Sequence, residues 1–337
     1  MASRSKVWKR AGLLALLVAT IVLSPYLTSR VLNPGRRVQL RTATSQSGGT
    51  DRTAETDRPL RVACYNIAHG RGVPFDNWNG ESKAVRLDRL LGIASRLREI
   101  DADIVALNEV DFESSWSHKV NQAEVLAKNA GYPYWVEQRN LDFRVGTWTW
   151  RFGNAILSRY PIRDAQSIEF PGYSALEPLL AGKKRGVYGT IELDRKRFPS
   201  LPQIGFVSAH LSHRSEQLRV DSADMIGKLV SKSTVPVLVA GDFNSSPPGF
   251  AKSSSTDSGQ NAITTFDDSQ LFERRPMTNP AASELTFPSD GPEQVIDWIL
   301  VPKSLEIVEY KVVNLDLSDH LPVVVDVVVR SAEEERP

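Results

Sequence analysis

Short apolar runs alternate along this chain with two longer helical patterns, and the two periodicities set out its elements. Arg61–Ile67 reads as a buried strand. Across Ser82–Ile100, Leu87, Leu90, Leu91, Ala94 and Leu97 recur at helical spacing with charges on the other face, so an amphipathic helix is expected there. Ile104–Val110 is the next strand, and the polar residues Asp101 and Asp103 mark its approach. Further strands are expected at Asn154–Leu157, Val187–Leu193, Ile204–Ala209, Val235–Ala240, Val295–Val301, Leu305–Val313 and Pro322–Val329, with a second helix over Ser215–Val230. Many strands with few crossover helices predict an α/β fold of two sheets packed face to face, helices outside, rather than one doubly wound sheet. The Ser-rich stretch Ala251–Ala262 has no apolar periodicity and is expected to be a mobile surface loop.

The N-terminus has a different pattern. Arg4, Lys6, Lys9 and Arg10 precede an uncharged run, Ala11–Ser29, that is almost wholly aliphatic from Gly12 to Leu23. Residues 1–32 therefore read as an export signal or a single membrane anchor. The anchor is preferred, because no clear small-x-small cleavage site closes the run. Its basic flank favours a cytoplasmic N-terminus, which makes the rest of the chain extracytoplasmic, or secreted if the segment is cleaved. Residues 33–59 are polar and rich in Arg, Thr, Ser and Gly, and are expected to form a disordered linker. The folded domain then occupies residues 60–330, followed by a polar tail at 331–337.

With 41% hydrophobic and 24% charged residues, the 337-residue chain is neither disordered, collagenous nor polytopic in a membrane. Its 41 Lys+Arg against 40 Asp+Glu exclude strong whole-protein attraction to nucleic acid and leave only a local basic groove for that role. Cys64 is the single cysteine, so any metal must be held by oxygen or imidazole.

The chemistry lies where polar residues meet strand ends. Asn66, Glu109, His210, Asp242, Asn244, Asp297, Asp319 and His320 all fall at or just beyond such ends, where a scaffold presents side chains to a shared pocket. Singly, an Asn or Asp after a strand is more often a turn former; the set shifts the balance. In Ala240–Asn244, period-two alternation puts Asp242 and Asn244 on one side, a pairing that can orient a water and donate to a phosphoryl oxygen. Asp319 and His320 precede a strongly apolar strand, and His320 can act as base or acid if a second carboxylate fixes its ring. Asp297, costly inside so apolar a strand unless paired, is the candidate partner. Glu109 is a natural hard-cation ligand.

Taken in order, Tyr65–Ile67, Leu107–Val110, Gly153–Ser158, Ser208–Leu211, Gly241–Asn244, Ile296–Asp297 and Ser318–His320 resemble the endonuclease/exonuclease/phosphatase superfamily, from about Leu60 to Val329. Tyr65–Gly72 with Asp103–Asp111 is similar to its bacterial metal-dependent hydrolase branch, which includes sphingomyelinase-like and lipid-remodelling relatives. The resemblance implies a four-layer α/β/β/α sandwich with a magnesium-dependent phosphoesterase site at one end of the sheets; manganese satisfies the same oxygen ligands. It places metal ligands on Asn66 and Glu109, with Asp319 nearby. It makes His320, oriented by Asp297, the general base or the electrostatic partner of the nucleophilic water. His210 and Asn244 would contact the scissile phosphate, and Asp242 would align or deprotonate the water. His69, Arg71, Arg151 and Asn154 are the further substrate-binding candidates. Arg151 lies among Arg144, Trp148 and Trp150, residue types that line a rim or cover a sheet edge. Lys183-Lys184-Arg185 is a basic run facing solvent or an anionic substrate.

The expected activity is extracytoplasmic hydrolysis of a phosphodiester, a lipid headgroup or small phosphodiester being favoured, with membrane contact through the N-terminal segment. Two alternatives stand beside it. An extracytoplasmic nuclease is disfavoured by the near-zero charge and by Ala68, which stands where the abasic-site endonuclease branch carries Asp. A catalytically inactive member that binds phosphorylated ligands or a partner is disfavoured because unused buried charges are expensive. Asn108 stands where many relatives have Gln, a change expected to touch only hydrogen bonding behind the metal ligand.

Overall fold

A computed structural model of the chain describes residues 2–32, 37–43, 58–74, 76–78, 80–174 and 182–330; the expected tail and most of the expected linker lie outside these. Helix α1 spans Ala2–Leu32. One sheet is built from β1 (Val38–Thr42), β2 (Leu60–Asn66), β3 (Ile104–Asp111), β4 (Tyr134–Val145), β5 (Trp148–Ser158), β12 (Leu305–Val312) and β13 (Val323–Val329), in the order β1-β4-β5-β3-β2-β13-β12. The other contains β6 (Ile162–Glu169), β7 (Arg185–Glu192), β8 (Gln203–His210), β9 (Val237–Asp242), β10 (Phe272–Glu273) and β11 (Asp297–Pro302), in the order β10-β11-β9-β8-β7-β6. Four further helices are α2 (Lys83–Ile100), α3 (Gln122–Ala130), α4 (Glu216–Val230) and α5 (Ala262–Asp268).

Each sheet has one parallel pair at its centre, β2 with β3 and β8 with β9. A parallel pair needs a crossover, and the two helices legible in the sequence supply them. α2 starts at Ser82, whose hydroxyl accepts from Val85 N, and stops at Asp101 in a left-handed conformation; α4 is capped by Ser215 in the same way. Alternation along β2 sends Val62 and Cys64 between the sheets, against Phe206, Leu238 and Ala240, while Ala63 and Tyr65 pack outward with Leu90 and Leu97 of α2. A third cluster, Val207, Val239 and Trp298 with Ile226 and Phe266, seals the other sheet under α4 and α5. These layers are the expected α/β/β/α sandwich. Each fully buried Val, Leu or Ile contributes about 1.5–3 kcal/mol.

Two expectations are corrected. Residues 38–42 of the expected linker form β1, paired antiparallel with β4 from Val38↔Gln138 to Thr42↔Tyr134; an edge strand needs backbone partners more than buried side chains. Ala251–Ala262 lies on the surface but is tied down by Asn261, which is buried, donates to the carbonyls of Ser246 and Ser254, and caps α5. α1 is a continuous helix with Leu13, Leu16, Leu17 and Ile21 exposed, yet among the described residues no helix is long and apolar enough to cross a membrane.

Candidate active site

The C-terminal ends of the parallel strands open toward one another at one end of the sandwich. Register brings the ionisable groups together: Asp297, the first residue of β11, lies opposite Asp242 at the end of β9, and His210 at the end of β8 lies beside Asp242. Asn66 closes β2, and Asp319 and His320 precede β13, which runs antiparallel to β2. Glu109 is re-aimed by a break in the β3–β5 register between Leu107 and Val110, where its φ is 52°.

Asp242 is the hub. Its Oδ2 accepts from Asn66 Nδ2 at 3.0 Å and stands 3.5 Å from His210 Nε2 and 3.8 Å from His320 Nε2. Asn244, with φ 51°, donates its backbone N–H to Asp242 Oδ1 at 2.9 Å. His320 Nδ1 donates to Asp297, 2.9 and 3.1 Å from its two oxygens, so the ring is oriented as expected. On the other side, Arg71 bridges Glu109 at 3.3 Å and Asp319 at 2.7 Å, and His69 Nε2 lies 3.4 Å from Glu109.

The field of these groups sets their protonation. Burial opposes a charge on His320, but Asp297 and Asp242 outweigh it and raise the ring to about 10, so it carries its proton at neutral pH. Burial pushes Asp242 up as well, with His320 opposing and Asp297 adding to the rise. Burial also acts on His210, and Lys184, whose Nζ donates to Nε2 at 2.8 Å, adds to it; the ring is held neutral. Partial burial would raise Glu109, yet His69, His210, Arg71 and Lys184 together hold it below the usual carboxylate range.

Glu109 and Asp319, joined through Arg71, are the carboxylates of the expected metal site, and with the amide oxygen of Asn66, which also accepts from Ala68 N at 3.0 Å, they make a hard donor set of the kind magnesium or manganese takes. Arg71 supplies positive charge between the two carboxylates. Asp242, Asp297 and His320 form a second group, with ligand atoms within 4.8 Å of one another. With Nδ1 of His320 held by Asp297 and Nε2 facing Asp242, the same group is also arranged as a proton relay.

Two expected substrate contacts are not brought here. Asn154 is fully buried: its amide donates to Gln138 and to the Arg185 carbonyl at 2.6 Å, and its oxygen accepts from Asn108. Arg151 pairs with Asp142 and Glu113 on the flank of β5. Both were singled out from short motifs without the partner strand that uses them. Conversely, Asn108, Asp111 and Lys184 emerge as site residues. Asn108 reaches across the sheets to accept from the Asp242 backbone N–H at 2.8 Å, and Asp111 accepts from His69 Nδ1 at 2.8 Å. Asp111 was legible as the residue two beyond Glu109.

The Asn108 bridge depends on Gly241, whose φ is 141°: an added Cβ would lie 2.0 Å from the Ala209 carbonyl oxygen and 2.7 Å from Asn108 Oδ1. Gly241→Ala is therefore expected to destabilise the fold by about 2 kcal/mol or more and to displace Asp242, which thermal denaturation and turnover of the variant would report.

This fold and this set of side chains define a phosphoester hydrolase class. The chain belongs to the Endonuclease/Exonuclease/phosphatase family, whose model matches residues 63–320. No curated protein matches the sequence. Among solved structures it is similar to a mannosyl-6-phosphatase from Bacteroides thetaiotaomicron VPI-5482, at 19% identity over 80% of this chain and 99% of that one, TM-score 0.58. It is also similar to the human Nocturnin catalytic domain with bound sulfate, at 16% identity over 87% and 97%, TM-score 0.54. A third is ANGEL2, a 2',3'-cyclic phosphatase in complex with adenosine-2',3'-vanadate, at 15% identity over 86% and 98%, TM-score 0.55. At such identities the likeness is one of fold, and with the family it supports a phosphoesterase.

Proposed function

We propose that the chain is a metal-dependent hydrolase of phosphodiesters that works by attack of an activated water. The observation that carries this reading is the convergence on Asp242 of Asn66, His210 and the Asp297–His320 pair. A buried carboxylate with raised proton affinity suits the removal of a proton from water. Protonated His320, facing Asp242 through Nε2, suits a hydrogen bond to a phosphoryl oxygen as charge grows there. The water oxygen forms its bond to phosphorus, the ester P–O bond breaks, the water proton passes to Asp242, and the leaving alkoxide takes a proton from solvent and departs as the alcohol. A magnesium or manganese ion held by Glu109, Asn66 and Asp319 would supply charge neutralisation on the phosphoryl oxygens. Arg71 and Lys184 add positive charge at the same place.

Extracytoplasmic action belongs to the same proposal, supported by the basic flank and exposed aliphatic face of α1. Hydrolysis by the full chain of a chromogenic phosphodiester, a phosphomonoester, sphingomyelin and DNA, each with magnesium and with chelator, tests the reading. Turnover of a diester that needs metal and is lost in His320→Ala is the expected result. A folded protein that turns over none of them would sink it. Preference for DNA would move the assignment to the nuclease.

A further inference from the structure

Four of the seven tryptophans gather beside the site, from three separate stretches of chain: Trp78 before α2, Trp116 after β3, and Trp148 and Trp150 on β5. Trp116 joins them to the chemistry. Its Nε1 donates to Asp111 Oδ2 at 2.6 Å, and its ring meets His69 edge-on at 5.6 Å. From Trp116 the row passes to Trp78 at 6.1 Å, and Trp78 meets Trp148 at 5.6 Å with the ring planes 43° apart. Trp78 is 52% and Trp148 54% exposed. Single exposed tryptophans mean little, but two touching indoles half in solvent form one apolar surface. The row behind them ends on a histidine 3.4 Å from Glu109, which makes that surface a wall of the site.

We propose that this wall is the leaving-group subsite, and that the phosphoester carries a flat-faced ring, a sugar or a nucleobase, that stacks on Trp148 and Trp78. This deepens the hydrolase reading and rests on it for the position of the phosphate. Rings 5.6 Å apart leave no room for insertion, since a sandwich needs about 7 Å, so the ligand lies on an outer face. The rim beside Trp150 holds the carboxylates Glu113 and Asp142, paired with Arg151. These carboxylates, paired with Arg151 and Arg139, leave the rim charge-balanced and rich in hydrogen-bonding groups that suit a hydroxyl-bearing ring.

Calorimetric titration of the full-length chain with adenosine monophosphate, glucose phosphate and glycerol phosphate at fixed ionic strength tests this without requiring turnover. At least one ring-bearing phosphate is expected to bind roughly tenfold more tightly than glycerol phosphate, the size of one stacking contact. Trp148→Ala and Trp78→Ala are each expected to lose most of that advantage and leave glycerol phosphate binding unchanged, while Trp148→Phe keeps it. The adenosine and glucose arms tell base from sugar. Equal affinities for all three phosphates, equal losses on all three, or no binding at all would overturn the subsite. So would binding to phosphatidylcholine–phosphatidylglycerol vesicles that the two alanine variants abolish while ring preference stays intact. Stacking-dependent binding in a protein that hydrolyses no phosphodiester would instead count against the catalytic reading alone.

Discussion

Asp242→Asn is expected to lower kcat by on the order of 10³-fold while leaving the melting temperature unchanged or slightly raised. The exchange keeps the size of the side chain, removes the charge and turns the oxygen that accepts from Asn66 into a donor, so what is lost is the acceptor for the water proton and the anion between His210 and His320. The stability half follows from the sign of the shift. Burial raises the folded-state proton affinity of Asp242 above that of the unfolded chain. Such a carboxyl costs stability as pH rises from its unfolded pKa through its folded one, and at neutral pH that cost is present. An amide carries no such cost and can still accept from the Asn244 backbone N–H. Rate measurements at saturating substrate, alongside thermal denaturation, separate the outcomes. A variant that keeps activity within tenfold would take Asp242 out of the chemistry, and one that loses its cooperative transition would show a structural role.

Most of the strands legible in the sequence are buried on both faces, β12 being a partly exposed edge strand that was legible all the same. β2, β3, β9 and β13 lie between helices and the opposite sheet, so their sequences are near-continuous apolar runs. The site residues that stand at their ends, Asn66, Glu109, Asp242 and His320, were legible for the same reason. β6 was not, because it is an edge strand whose middle is polar and partly exposed, from Arg163 to Ser167. β1 and the first half of β4 pair along another edge and give equally little signal. α3 has only nine residues, too few for a helical period to stand out. The misplacement of Asn154 and Arg151 has a related cause. Their roles are fixed by Gln138 and Asp142 on β4, and without β4 nothing in the motif shows that those side chains are already engaged. Lys184 stood in a recognisable basic run, but only the β7–β8 pairing shows that it reaches His210.

Glu109→Gln is expected to abolish both metal-dependent turnover and the stabilisation that added magnesium or manganese gives the wild-type protein. A bound ion raises the melting temperature by mass action, so a thermal shift reads occupancy independently of catalysis. Glu109 is suited to that role because His69, His210, Arg71 and Lys184 keep it ionised, and a ligand must be deprotonated before it can bind. The same four groups make the site demanding. Once Glu109 is neutral, Asp319 is the one remaining acidic side chain among the three candidate ligands, and it alone of them offsets the charge of Arg71. A cation arriving there meets more positive charge than negative. The wild-type protein should therefore show a metal-induced shift and turnover that chelator removes, whereas the variant should show neither up to millimolar metal. Its turnover should fall by roughly 10²–10³-fold, the scale of losing one preorganised electrostatic element. A full thermal shift in Glu109→Gln would move the ion away from this carboxylate and toward the group of Asp242, Asp297 and His320.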